Sequence, residues 1–211
     1  YLTAILHLAP SKLSGVDVCK HATPQCIRFC LNKAGRGGIV KKGETTNAIQ
    51  LARVARTKFW LDNPVAFTAQ LNKEIDAHKR KAEKLGLKPA VRLNGTSDIS
   101  WENYLPALFW RHDDVQFYDY TKINNRKVAH IPNYHLTFSK ADGNDMDTRL
   151  AISNGMNVAV VFHKVPENYL GRPVINGDET DLRFLDPKGV IVGLKAKGKA
   201  KKDTTGFVVS A

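Results

Sequence analysis

Short apolar segments alternate with helical patterns along most of this chain, and no other feature constrains the fold more. Segment 157–162 reads Asn-Val-Ala-Val-Val-Phe, which is apolar on both faces. A strand of this kind is typical of a parallel sheet covered by helices on both sides. We count about six such strands, with a final edge strand at Phe207–Val209. They lie at 2–8, 90–93, 115–120, 134–138, 157–162 and 189–194.

Apolar residues at helical spacing lie between several of these strands. Ala48, Ala52, Ala55 and Phe59 recur every three or four residues. Asn63-Pro64 is a start signal, because Asn caps a helix and Pro is tolerated in its first turn. The apolar stripe that follows ends at Gly86, a residue typical of a helix C-terminus. Shorter helices are predicted at 100–109 and 145–153, and a helical turn or two at 124–130.

The alternation predicts an α/β fold with a parallel sheet, in a single domain over residues 1–211. An open doubly wound sheet and a β/α barrel both fit the pattern. A complete eight-unit barrel usually needs ~250 residues, and the chain has 211. We therefore expect a partial or TIM-like barrel of about six strands, with the irregular segment 9–45 after the first strand.

All three cysteines lie in this segment, which we call the cysteine loop (residues 9–45). Cys19, Cys26 and Cys30 are spaced C-x6-C-x3-C. An odd, clustered set in a chain without a visible export signal argues against a disulfide framework. The spacing favours thiolates that converge on one metal centre, and the sharpest hypothesis is a [4Fe–4S] cluster held by these three cysteines. Zinc completed by His21 or His7 is one alternative, and three cysteines without metal are the other.

Polar residues follow several of the predicted strands. In both candidate architectures the chemistry sits at the carboxyl ends of the strands. The third strand ends in Asp119-Tyr120-Thr121-Lys122. Asp119, Tyr120 and Lys122 are therefore candidate catalytic residues, as acid, base or substrate ligand.

The chain is strongly basic, with 32 Lys and Arg against 20 Asp and Glu, and a net charge of +12. Such a surface attracts polyanions, of which nucleic acid is the commonest. The segment 195–211 begins with a run of lysines that fits phosphate contacts or a solvated tail. No stretch approaches the ~20 apolar residues of a membrane helix, so we expect no membrane partner.

A cysteine loop directly after the first strand of a six-unit partial barrel resembles the radical S-adenosylmethionine superfamily. The usual motif there is C-x3-C-x2-C, and this chain differs in both gaps. The resemblance implies a cluster with one iron open to S-adenosylmethionine. It also places Asn94, Ser97 and Asp98, after the second strand, where that superfamily binds the cofactor.

A resemblance over nearly the whole chain is to an uncharacterised family of tailed-bacteriophage proteins. Its motifs include Ala22-Thr23-Pro24, Ala34-Gly35-Arg36-Gly37, and Arg92-Leu93-Asn94-Gly95-Thr96-Ser97-Asp98. This resemblance implies a viral protein that acts in the cytoplasm of the bacterial host, and it implies no reaction.

Two functional hypotheses follow. The first is an enzyme that cleaves S-adenosylmethionine reductively at the open iron and then performs radical chemistry. The second is a non-enzymatic basic protein that binds nucleic acid, with a structural or redox cluster, or zinc, at the cysteines.

Overall fold

The computed structural model describes residues 1–210 and shows a mixed α/β fold with a nine-stranded, mostly parallel sheet. The predicted fold class is confirmed at this level. The strands are β1 (Leu2–Ile5), β2 (Pro89–Arg92), β3 (Gln116–Thr121), β4 (Tyr134–Ser139), β5 (Val158–Phe162), β6 (Asn168–Tyr169), β7 (Arg172–Asn176), β8 (Ile191–Lys195) and β9 (Val208–Val209).

Six α-helices are present in the described residues, and short 3-10 turns accompany them. The helices are α1 (Pro24–Arg28), α2 (Ala48–Asp62), α3 (Pro64–Lys84), α4 (Trp101–Tyr104), α5 (Pro106–Arg111) and α6 (Asp145–Ser153). The 3-10 turns are Leu31–Lys33, Gly35–Gly38, Arg183–Leu185 and Gly198–Lys202. None of the described helices is both long enough and apolar enough to span a membrane.

The chain divides into two compact units. The first unit contains residues 1–20, 31–119 and 127–135, and the second contains 21–30, 120–126 and 136–211. The boundary falls inside the cysteine loop, between Lys20 and His21. Cys19 therefore belongs to the first unit, and Cys26 and Cys30 belong to the second.

In the first unit, β1 pairs in parallel with β2, and β2 with β3. The register places Ile5 opposite Arg92 and Val91 opposite Phe117. Helix α3 buries Phe67, the first of an apolar stripe at helical spacing. Aromatic rings continue this core, as Phe67 lies 6.3 Å from Trp101 between ring centroids.

In the second unit, β5 is central. It pairs in parallel with β4 and β8, and β8 pairs in parallel with β7. The short antiparallel hairpin of β6 and β7 was not predicted. The predicted edge strand at 207–209 is β9, which pairs with β5 at Val161 and Phe162, beyond the residues that pair with β4. The core consists of Phe138, Ala151, Val158, Val160, Phe162 and Ile191.

Three details of the sequence prediction need correction. The sheet is not closed, since its strand order ends at β1 and β6, so the expected barrel is not confirmed. The helix predicted at 100–109 is interrupted at Leu105, because proline disfavours helical backbone in the residue before it and Pro106 follows. In place of the helical turn or two predicted at 124–130, the chain forms non-helical turns at 124–125 and 129–130.

Candidate functional site

In the first unit the start of the cysteine loop lies against the turn that follows β2. The hydroxyl of Thr96 donates to the carbonyl oxygen of Leu8 at 2.5 Å. The amide of Asp98 donates to the carbonyl oxygen of Val18 at 2.9 Å. The thiol of Cys19 is 3.6 Å from the carbonyl oxygen of Thr96, a weak donor contact. These bonds place Cys19 at the carboxyl end of β2, as the strand-end rule predicts.

A buried carboxylate organises the same turn. Asp119 has no exposed surface and accepts hydrogen bonds from the amide of Asn94 at 2.7 Å and from the hydroxyl of Tyr134 at 2.9 Å. The side-chain amide of Asn94 also donates to Asp119, at 3.3 Å, through the carboxylate oxygen that accepts from Tyr134. Asp119 therefore fixes the start of the turn, and its predicted catalytic role stays a prediction.

The side chain of Asn94 is used inside this turn. Its oxygen accepts from the hydroxyl of Ser97 at 2.8 Å, the amide of Ile99 at 3.0 Å and the indole of Trp101 at 3.2 Å. Asn94 and Ser97 are 3% and 8% exposed. Their contacts are those of a folded turn, and their predicted role as ligands of S-adenosylmethionine stays a prediction. Asp98 is half-buried, and its predicted role as a cofactor ligand stays a prediction.

Sequence reasoning missed a group of arginines around His7, which follows β1. Burial, together with charge repulsion from Arg53, Arg92 and Arg56, lowers the pKa of His7 to about 4. Arg56 donates to the carbonyl oxygen of His7 at 2.6 Å. The signal in the sequence was the pair Arg53 and Arg56, because residues three apart on a helix share a face.

In the second unit, Cys26 lies in α1 and Cys30 lies two residues beyond its end. Thr23 caps this helix, since its hydroxyl accepts from the amide of Cys26 at 3.2 Å. The Thr23 hydroxyl also donates to the carboxylate of Asp142, and the amide of Gln25 donates to that carboxylate at 3.3 Å. Asp142 follows β4, so the carboxyl end of β4 anchors the cysteine helix.

The basic segment of the second unit packs beside this helix. Phe29 and Phe207 lie 5.4 Å apart between ring centroids, and both rings cover the buried residues Ala196, Ala200 and Val208. The lysines that follow Ala196 and Ala200 point to solvent. Lys197, Lys199, Lys201 and Lys202 are all exposed.

The other two predicted catalytic residues have separate partners in the second unit. The hydroxyl of Tyr120 donates to the carboxylate of Asp181 at 3.1 Å. The ammonium of Lys122 lies 3.4 Å from the hydroxyl of Ser139, at the end of β4. Neither contact identifies a substrate, so the roles of Tyr120 and Lys122 stay predictions.

The three cysteines are all partly buried. Thiolates are suited to iron–sulfur clusters and zinc, so the chemistry of the donors fits either centre. Within residues 1–210, however, no group of three or more His, Cys, Asp or Glu side chains is arranged to hold a metal ion.

Comparison with known proteins gives one positive result. No curated protein and no solved structure matches the chain, and nothing in the comparisons supports the radical S-adenosylmethionine resemblance. A family model described as Gene product 88 matches residues 1–211. Since this match covers the whole sequence, the chain belongs to the phage protein family Gene product 88.

Proposed function

We propose that this phage protein binds a [4Fe–4S] cluster through Cys19, Cys26 and Cys30 in the cytoplasm of the bacterial host. The observation that carries the proposal is the cysteine set itself. The chain has three cysteines, all within the span 19–30, and all three are partly buried. Three cysteines so close in the sequence, in a chain that has no others, are suited to one shared centre.

The surroundings of the cysteines support a loop that gathers around a cluster. The thiol of Cys19 makes a weak contact with the carbonyl oxygen of Thr96 in the β2 turn. Cys26 and Cys30 belong to a five-residue helix and the residues after it. Such short elements gain little stability from their own hydrogen bonds. Ligation by a cluster therefore has little regular structure to disrupt.

A cluster held by three cysteines leaves one iron for another ligand. The identity of that ligand distinguishes the enzymatic hypothesis from the structural one. When bound, such a centre supplies electron transfer or a binding position for a small molecule. The residues of this chain would hold the cluster and limit access of solvent to it. S-adenosylmethionine is the small molecule that the sequence resemblance implies.

The test is purification without oxygen, followed by iron and sulfide analysis and an absorption spectrum. We expect a broad band near ~400 nm and about four irons and four sulfides per chain. Each of Cys19→Ser, Cys26→Ser and Cys30→Ser should lower the iron content, while His21→Asn should retain it. A colourless protein that contains zinc or no metal contradicts the proposal.

A second measurement distinguishes enzyme from structural cluster. S-adenosylmethionine is added to the reduced protein, and the electron paramagnetic resonance spectrum and cleavage products are recorded. A changed spectrum with cleavage supports the enzyme. An unchanged spectrum without cleavage supports a cluster with a structural or redox role.

Nucleic-acid binding is a second candidate function, favoured by the exposed lysines of the 3-10 turn Gly198–Lys202. The triple substitution K199Q/K201Q/K202Q should weaken binding to an oligonucleotide and reduce its salt dependence. The control K73Q/K81Q/K84Q removes the same charge from exposed positions of α3. An equal loss of oligonucleotide affinity in both variants would show only a general effect of charge, and would reject this segment as the binding site.

A further inference from the structure

A cavity of about 430 Å³ in the first unit is lined by helices α3 and α5. Its volume lies in the range of small-ligand sites in proteins. Polar and charged side chains form nearly all of its wall. The lining residues are Ala69, Asn72, Lys73, Asp76 and Arg80 of α3 and Arg111 of α5. We call it the α3–α5 cavity.

The spacing of residues along α3 selects which charged groups face the cavity. Lys73, Asp76 and Arg80 are separated by three and four residues, so they share one face of the helix. Lys79 lies outside the lining and pairs with Asp114 at 2.7 Å. The cavity therefore has its own set of charges, separate from the ion pair beside it.

Positive charge exceeds negative charge in the lining. Lys73, Arg80 and Arg111 supply three positive charges and Asp76 supplies one negative charge, which gives a formal sum of +2. The three cations are exposed, whereas Asp76 is half-buried. An anion can therefore approach the cations directly from solvent, and a dianion matches the charge of the lining.

The carboxylate of Asp76 faces two nitrogen atoms at distances too long for hydrogen bonds. One oxygen lies 3.7 Å from the guanidinium of Arg111, and the other lies 3.7 Å from Nδ1 of His112. This Nδ1 is buried and has no hydrogen-bond partner within residues 1–210, while Nε2 of the same ring lies 2.8 Å from the side-chain oxygen of Asn72. Polar groups at such a separation are often bridged by a water or ligand group. Asp76 is therefore suited to accept a hydrogen bond from a hydroxyl group in the cavity.

From this arrangement we propose that the α3–α5 cavity binds a phosphate monoester of a hydroxyl-bearing compound, either a sugar phosphate or a nucleoside monophosphate. Arg80 and Arg111 hold the phosphate, because guanidinium N–H groups match phosphate oxygens in pairs. Asp76 accepts from a hydroxyl of the ligand. A carboxylate among the cations repels a continuous phosphate backbone, so the site favours a small ligand over a nucleic-acid strand.

The test measures the binding of ribose 5-phosphate, adenosine 5′-monophosphate and inorganic phosphate by calorimetry. Arg80→Gln should weaken binding of the esters by about tenfold or more, because a charge-assisted hydrogen bond is lost. The matched control is Lys81→Gln, which removes the same charge from the next residue of α3, exposed and outside the lining. Tighter binding of ribose 5-phosphate identifies a sugar phosphate as the ligand, and tighter binding of adenosine 5′-monophosphate identifies a nucleotide.

Asp76→Ala distinguishes this site from one that binds any anion. The variant should bind inorganic phosphate more tightly, because a repelling charge is removed. It should also lose part of the preference for ribose 5-phosphate over inorganic phosphate, because the acceptor for the hydroxyl is gone.

Three results would overturn the proposal. They are the absence of binding by either ester, an equal loss of affinity in Lys81→Gln and Arg80→Gln, and an unchanged preference in Asp76→Ala. Tighter binding of a single-stranded oligonucleotide that Arg80→Gln weakens would also overturn it, since the cavity would then contact nucleic acid. No cysteine lines the cavity, so these results are independent of the proposed iron–sulfur cluster.

Discussion

At the scale of single residues, Gly95 illustrates how closely the turn after β2 packs on the end of β1. A Cβ atom at this position would lie 2.6 Å from both Nδ1 of His7 and Cγ2 of Ile5. We expect Gly95→Ala to lower the free energy of unfolding by about 1–3 kcal/mol, because such overpacking forces neighbouring side chains to move. Chemical denaturation of the purified variant measures this loss.

The same substitution in a His7→Ala background is the control for this prediction. Removing the imidazole relieves one of the two close contacts, so Gly95→Ala should then cost less. An equal cost in both backgrounds would show that His7 contributes nothing to the constraint at Gly95.

At the scale of elements, two asparagines cap consecutive helices and make a matched pair. Asn63 accepts from the amide of Ala66 at 3.1 Å and starts α3. Asn47 accepts from the amide of Gln50 at 2.9 Å and starts α2, but its side-chain amide also lies 2.8 Å from the carbonyl oxygen of Ile39 and 3.0 Å from that of Gly37. Asn47 therefore joins a helix cap to the glycine-rich segment.

Asn63→Ala should lower the free energy of unfolding by about 1 kcal/mol, the usual value of a helix cap. Asn47→Ala should cost roughly 1 kcal/mol more, because it also removes bonds to the glycine-rich segment. Thermal and chemical denaturation of both variants check the order. If the two losses are equal, the additional bonds of Asn47 contribute no net stability.

The anchor of the cysteine helix gives another prediction at this scale. Asp142→Ala removes the acceptor for the Thr23 hydroxyl and the Gln25 amide. Helix α1 should then open more often, and Cys26 and Cys30 should react faster with a thiol reagent, while Cys19 should not change. Asp147→Ala is the control, since Asp147 contacts Asn124 on the exposed surface. Unchanged rates at Cys26 and Cys30 would show that Asp142 does not hold the helix.

Elements with a regular apolar pattern were predictable from the sequence, and elements without one were not. Helix α3 follows from its stripe and from the Asn63-Pro64 start. The β6–β7 hairpin has no comparable pattern, because β6 is the two-residue strand Asn168–Tyr169. The turn at 94–98 was located from its place after an apolar strand. Its bond to Asp119 was not foreseen, since it joins residues 25 positions apart and depends on the register of β2 with β3.

At the scale of the whole molecule, the perturbed ionisable groups predict how stability depends on pH. Burial lowers the pKa of both His7 and His112 in the folded protein. The carboxylates of Asp178 and Asp203 also have lowered pKa values: burial opposes the shift, but hydrogen bonds from Lys197 to Asp178, and from Thr205 and Val208 to Asp203, outweigh it. The histidines and the carboxylates act in different pH ranges.

Below the usual histidine pKa of 6.5, the unfolded chain takes up protons that folded His7 does not bind until about pH 4. Protons therefore favour unfolding in this range, and the free energy of unfolding should fall as the pH decreases from 6.5 towards 4. The two carboxylates add their loss only below their usual pKa of 3.8. Urea denaturation at intervals between pH 7 and pH 4.5 measures this dependence, to which Asp186, whose pKa is raised by burial, adds a change of opposite sign. His7→Gln should make this dependence shallower, because glutamine does not titrate. An identical slope in the variant would mean that His7 is protonated as readily in the folded protein as in the unfolded chain.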